Sequence, residues 1–287
     1  VAERAYQQAL QYAQDRTQGR AIGAPAGVSS PIIEHPDVRR MLMTQRAWID
    51  AMRCLVYTNA AALDLADAAR AAGDRDNATS WQERADVLIP LTKGLCTEVV
   101  NESTSLALQI HGGMGFVEET GVAQHYRDAR IAAIYEGTNG IQAADLVGRK
   151  LSMRGGGVIR DLLDEVESAA GALAEVDGLQ AAAAAIRDGV AAARTATDHV
   201  AGIAGTDPSS LLGSSMPYLR LLGTVTCAGL LAKGAAVAAG RDDDFHRAKV
   251  VSAKFFAEQI VPAAVGLLPA VLAPSDDLYA LSAQQLA

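Results

Sequence analysis

The chain has 287 residues, half of them apolar, enough for a sizeable core in one large domain or two smaller ones. A formal charge of −8 speaks against a nucleic-acid surface, which needs a basic face. Cys54, Cys96 and Cys227 lie far apart, with neither CxxC nor zinc spacing, so they read as reduced, mostly buried thiols of a cytoplasmic protein, not as a disulfide framework.

The opening VAERAYQQALQYAQDR is already helical, with Tyr6, Ala9, Leu10 and Ala13 on one face and no methionine, cap or signal-peptide pattern ahead of it. It reads as the continuation of a helix begun upstream in a longer polypeptide. The Gly, Pro and Ser density of GRAIGAPAGVSSPIIEHP then predicts a loop. From Asp37 the apolar positions Val38, Met41, Leu42, Trp48, Ile49, Met52, Leu55 and Val56 follow helical spacing as far as AAGDRDN. At ~1.5 Å per residue this helix would span about 50 Å. Trp81, Ala85, Leu88, Leu95, Val99, Leu106 and Ile110 mark the next helix, with a kink expected at Pro90 and a stop at Gly112–Gly113. A fourth helical segment passes through GVAQHYRDARIAAIYEG, restarts at Thr138 and continues to about Leu151.

Four long helices predict an all-α fold that begins with an up-down four-helix bundle. Three glycines, Gly155 to Gly157, place a domain boundary there, dividing the chain into a bundle over 1–154 and a second helical domain over 155–287. The second block predicts helices near 158–175, 179–204, 210–239 and 243–270. Within it, Leu221 to Ala239 has about the ~20-residue length of a membrane span. Its Gly, Ala and Thr content makes it weakly hydrophobic, and a central lysine such as Lys233 costs ~2.5–3.5 kcal/mol in a bilayer, so a buried core helix is expected and no membrane span.

Few segments could carry chemistry. In QIHGGMGF, Gln109 to Phe116, the glycines either cap a helix or allow a phosphate-bearing ligand close to backbone N–H groups; both readings stand at this point. Arg127 and Asp128 in HYRDARI read as a surface ion pair or structural clamp. The five histidines show no metal-ligand spacing, and the aspartates of RDDDF fit a helix N-terminus. IYEGTNGIQ places the single acid Glu136 among apolar neighbours, with glycine behind it. The bland reading is a helix end. The chemical reading is a general base: exclusion of water would strengthen the carboxylate as a base, and a break at Gly137 would free N–H groups for a carbonyl oxygen. A base beside such a donor suits removal of a proton α to a carbonyl, because the donor stabilises the enolate.

QIHGGMGF, YRDARI and IYEGTNGIQ, in this order and spacing, closely resemble the signature of the acyl-CoA dehydrogenase C-terminal helical domain, and RAYQQALQYAQDRTQGR resembles the start of that domain. The likeness covers residues 1 to about 151. YLRLLGTVTCAGLLAKGAAVAAG and AKFFAEQIVPAAVGLL resemble, more loosely, the extra C-terminal helical domain of a longer subgroup that includes bacterial enzymes. The resemblance implies that an N-terminal helical domain and a middle β-domain lie upstream of Val1, so this segment alone is expected to be inactive. It further implies FAD as cofactor, acyl-CoA as substrate, an electron-transfer flavoprotein as electron acceptor, a homodimer or dimer of dimers, and a place in fatty-acid β-oxidation.

Carried over residue by residue, Glu136 matches the catalytic base that takes the α-proton while the β-hydrogen leaves as hydride to the flavin. Tyr135 and Gly137 match residues beside the reactive end of the substrate. Arg16, Gln109, Gly113 and Thr138 match positions that contact the pyrophosphate and adenosine of FAD, and the arginine fork suits phosphate oxygens. Two positions depart from the pattern: Gln18 stands where many relatives have phenylalanine, and Gly140 where some have glutamine. An acyl-CoA oxidase would share base and flavin, and a non-catalytic binding protein would share the fold.

Overall fold

The computed structural model describes residues 1–287, and it contains helices joined by turns, with one isolated β-bridge between Thr17 and Pro31 and no strand. In chain order the helices are α1 (Ala2–Asp15), α2 (Pro36–Ala71), α3 (Arg75–His111), the single turn α4 (Gly113–Phe116), α5 (Val122–Ala132) and α6 (Asn139–Asp145). The C-terminal half adds α7 (Gly157–Ala174), α8 (Gln180–Ile203), α9 (Pro208–Gly213), α10 (Ser215–Ala238), α11 (Asp244–Phe255), α12 (Val261–Val265) and α13 (Leu268–Leu272). The all-α expectation holds, and most helix ends fall within a few residues of those predicted.

The packing divides the chain into two compact units interleaved in sequence: Val1–Asp50 with Cys96–Glu136, and Ala51–Leu95 with Gly137–Ala287. The interleaving follows from helix length. At 36 and 37 residues, α2 and α3 each extend about 55 Å, so their two halves contribute to different cores.

In the first unit α1 contributes a stripe of buried alanines, Ala5, Ala9 and Ala13, whose small side chains let the helix lie close to Met41 and Leu42 of α2, Ala107 and Ile110 of α3, and Val122 of α5. The loop after α1 is pinned by its own backbone: Ile32 N–H donates to the Arg16 carbonyl (2.8 Å), Gln18 N–H to Ser30 (3.0 Å), and Ser30 N–H to Gly19 (3.0 Å).

In the second unit α10 is buried nearly all round. Small residues bring its neighbours close: a Cβ on Gly223 would come within 2.9 Å of Leu95 in α3, and one on Gly229 within 2.7 Å of Val166 in α7. That accounts for the span-like composition of Leu221–Ala239. Two stretches, Ser215–Ala238 and Asp244–Leu272, are long and apolar enough to cross a membrane by length and composition; the first is mostly buried inside the protein.

Helix α3 runs on through the buried Pro90, the position of the expected kink, without ending there. Two local differences from the sequence reading have physical causes. The helix expected over 210–239 is interrupted at Ser214, where Ser214 and Ser215 turn their hydroxyls onto the carbonyls of Leu211 and Leu212 (3.0 and 2.7 Å). The helix expected over 243–270 widens into a π-turn at Phe256–Ile260, ahead of Pro262, which has no N–H for the preceding turn. Asp243 caps α11 as expected, accepting from the His246 N–H at 3.1 Å. None of the three cysteines is in a disulfide; Cys96 and Cys227 are buried, Cys54 is half-buried, and burial pushes the Cys96 thiol up to about 12.

Candidate functional site

A cavity of about 280 Å³ opens in the first unit where the end of α1 meets the end of α3. Arg16, Gln109 and Gly113 all line it, although more than ninety residues separate the first from the others. Arg16 is fixed as the residue after α1 by its N–H bond to the Tyr12 carbonyl (2.9 Å), and its extended backbone starts the pinned loop. Three of the four expected cofactor positions therefore share one cavity. Thr138 is not among its lining residues.

The sequence reading missed the rest of the wall. Tyr12 and His111 stack with ring centroids 4.3 Å apart, and both face the cavity. His111 is buried and its Nδ1 lies 2.8 Å from the Ala107 carbonyl, so that nitrogen carries the proton and donates. Burial holds the imidazole below its ordinary pKa, against the opposing effect of that hydrogen bond, and favours the neutral ring. Its place inside QIHGG was visible; metal spacing, the signal sought among the histidines, does not report a stacked ring. Gln18 also lines the cavity, and its carbonyl accepts from Nε2 of His35 at 2.8 Å.

The glycines of QIHGGMGF serve different ends. Gly112 has φ 58° and ψ −138°, a conformation that needs glycine, and it stops α3. A Cβ on Gly113 would meet nothing within 4 Å, so that position leaves the cavity wall open. A Cβ on Gly115 would lie 2.2 Å from the Leu108 carbonyl oxygen, so Gly115 is required by the close passage of the chain over α3.

After α5, the N–H groups of Ile134 and Tyr135 both donate to the Ile131 carbonyl (3.0 Å each), closing the helix end. The backbone then enters the left-handed region at two consecutive residues, Glu136 (φ 54°) and Gly137 (φ 81°). For glycine this is ordinary. For a glutamate it is uncommon and costs energy, the kind of strain concentrated at functional sites. The Glu136 amide donates to no group of the chain, and its side chain is exposed, as are Tyr135, Gly137 and Thr138. This chain alone thus leaves the carboxylate in water. Thr138 caps α6, its hydroxyl accepting from the Ile141 N–H at 3.4 Å. Nearby, Arg127 pairs with Glu118 at 3.3 Å rather than with Asp128, on the surface, a structural role.

Residues 1–151 match the family model for the acyl-CoA dehydrogenase C-terminal domain. The chain belongs to the acyl-CoA dehydrogenase family. Residues 159–282 of this family member match a second model, described as acetyl-CoA dehydrogenase C-terminal like. The 3-methylmercaptopropionyl-CoA dehydrogenase of Ruegeria pomeroyi is 45% identical over 270 residues, covering 91% of this chain and 45% of that protein. The broad-specificity linear acyl-CoA dehydrogenase FadE5 of Mycobacterium tuberculosis is 33% identical, covering 90% of this chain and 44% of that one. The chain thus spans a little under half the length of the curated relatives it matches. Among solved structures, an acyl-CoA dehydrogenase complexed with FAD from Bacillus anthracis is similar in fold, with TM-score 0.69 at 20% identity over 99% of this chain and 48% of that one. Acyl-CoA oxidase1 of Yarrowia lipolytica is similar at TM-score 0.67 and 17% identity, over 100% of this chain and 44% of that one.

Proposed function

We propose that this chain is the C-terminal part of an FAD-dependent acyl-CoA dehydrogenase, in which Glu136 is the base for α,β-dehydrogenation of an acyl-CoA thioester. The observation that carries the reading is the Glu136–Gly137 turn: a carboxylate held in a left-handed conformation beside its own unpaired amide.

The wall formed by Arg16, Gln109 and Gly113 fits a phosphate-bearing portion of the cofactor, since it offers a guanidinium, a carboxamide and a stretch without side chains; at about 280 Å³ it would take a part of FAD and not the whole. Thr138 is assigned to the cofactor by the family resemblance alone. When bound, FAD supplies the oxidant that accepts the β-hydrogen with its electron pair. The protein's own part is proton chemistry. The Glu136 N–H donates to the thioester carbonyl oxygen and stabilises charge developing there, which acidifies the α-carbon. The Glu136 carboxylate then takes the α-proton as the C–H bond breaks. Tyr135 and Gly137 flank the reacting carbons, the glycine leaving room for the thioester. Closure of the site to water, which this chain does not achieve alone, would make the carboxylate a stronger base.

In the whole protein that carries this chain, Glu136→Gln is expected to slow flavin reduction by acyl-CoA at least ~10³-fold while flavin remains bound. Bleaching of the flavin at the wild-type rate by that variant would sink the assignment. A panel that sets 3-methylmercaptopropionyl-CoA beside butyryl-CoA tests the substrate class against the names of the relatives. The fold likeness to acyl-CoA oxidases supports a second reading, in which oxygen takes the electrons. Release of H₂O₂ against reduction of an electron-transfer flavoprotein separates the two.

A further inference from the structure

The turn that follows Glu136 is held by a side chain from a distant helix. Lys93, half-buried on α3, donates from Nζ to the Gly137 carbonyl at 2.7 Å and to Oδ1 of Asn139 at 2.9 Å. These two acceptors bracket Thr138, the cap of α6, and Asn139 is itself buried. The helix that carries the lysine has little freedom at this point. Its next residue, Gly94, is buried, and a Cβ there would come within 2.8 Å of Leu219 in α10. One residue earlier, Thr92 accepts from Asn59 of α2 at 3.1 Å.

We infer that Lys93 is a positioning residue for the reaction: its ammonium clamps the peptide after Gly137 and so fixes the left-handed turn that aims Glu136. The inference rests on the reading of Glu136 as the base. A charge-assisted hydrogen bond is roughly twice as strong as a neutral one, and two of them on either side of one residue restrain a turn that is otherwise exposed. A glutamate at φ 54° relaxes toward the right-handed or extended regions when nothing holds it, and such a swing displaces both its carboxylate and its amide. Misplacement of a reacting group by about 1 Å costs ~10²-fold in rate.

The test uses the whole protein that carries this chain. Lys93→Met keeps the apolar stem and removes the donors; kcat is expected to fall about 10- to 100-fold with KM changed less than about threefold. Lys93→Arg, which retains a cation and several donors, recovers part of the loss, an effect that lost packing would not show. Hydrogen exchange should speed up in the peptide covering residues 137–141 and stay unchanged in the α1 core. In a Glu136→Gln background the additional Lys93→Met change should lower kcat by clearly less than it does in the wild-type background, because the turn then has only its amide and no base to aim. Should the methionine variant fail to fold, Lys93→Gln takes its place with the same expectations. Wild-type kcat in the Lys93 variants alongside a crippled Glu136→Gln, or losses that multiply in the double variant, would overturn the positioning role and leave the base assignment standing. A fully active Glu136→Gln would instead overturn the base, and with it this role.

Discussion

Gly112, Gly113 and Gly115 stand within four residues, yet they answer to different physical demands. At Gly115 the obstacle to a side chain is backbone, the Leu108 carbonyl oxygen at 2.2 Å, which cannot rotate away. Gly115→Ala is therefore expected to destabilise the fold by about 1–3 kcal/mol, read as a lower denaturant midpoint at unchanged slope. Gly113→Ala meets open space and should leave the midpoint within about 0.5 kcal/mol. If Gly113 lies against cofactor phosphate, the same methyl group weakens flavin retention, so the two alanines separate packing from binding. Glu136 shows the opposite trade. Its left-handed conformation suits glycine, and Glu136→Gly should keep or raise thermal stability, by up to about 1 kcal/mol, while turnover is lost. A substitution that stabilises and inactivates together is the signature of strain held for function. The sequence pointed to Glu136 as a base beside a break and to the glycines as a cap or a phosphate approach, but not to which glycine meets which demand or to the left-handed turn of the glutamate itself. Positive φ and a cross-turn approach are properties of the folded backbone.

At the scale of elements the sequence was more legible, because caps and periodicity are local. The restart at Thr138 appears where the hydroxyl accepts from Ile141, and the aspartates of RDDDF supply the cap of α11. Thr138→Ala is expected to cost about 0.5–1 kcal/mol, the low side for a cap given the 3.4 Å contact, and Thr138→Ser should restore it. Melting curves of the three proteins decide this. The interruptions at Ser214 and at Phe256–Ile260 escaped the pattern, since apolar spacing continues across both. The cues were present in Ser214, Ser215 and Pro262, but their effect depends on whether a hydroxyl turns back on the helix and how the chain accommodates a missing N–H. The cavity wall was half legible: Arg16, Gln109 and Gly113 entered through motif resemblance, whereas Tyr12 and His111 are brought in only when α1 packs against the end of α3.

At the scale of the whole molecule, α3 does more than supply one bundle helix. In the second unit, residues 83–86 of α3 carry a row of charges that meet partners from the C-terminal half. Arg84 makes a bidentate pair with Glu165 of α7, Arg154 reaches Glu83 at 2.9 Å, and Lys150 reaches Asp86 at 3.1 Å. Lys233 of α10 joins the Arg84 pair through Glu165 at 3.2 Å. Isolated surface pairs contribute little, but a shared carboxylate with two cations on different helices is a network. Partial burial pushes the Glu165 carboxyl up; hydrogen bonding and charge from Arg84, then from Lys233, outweigh it and hold the group below the ordinary carboxylate range. A depressed folded-state value means the unfolded chain binds the proton more readily. The contribution to stability is therefore fully present above the unfolded value, about 4.3, and disappears as pH falls through the folded one. Glu165→Gln is expected to lower the urea midpoint at pH 7, to lower it less at pH 4, and to flatten the acid limb of the stability curve. The difference at pH 7 should shrink in high salt, less than for a fully exposed pair because Arg84 is largely covered. Equal losses at pH 7 and pH 3 would mean that Glu165 acts by packing alone.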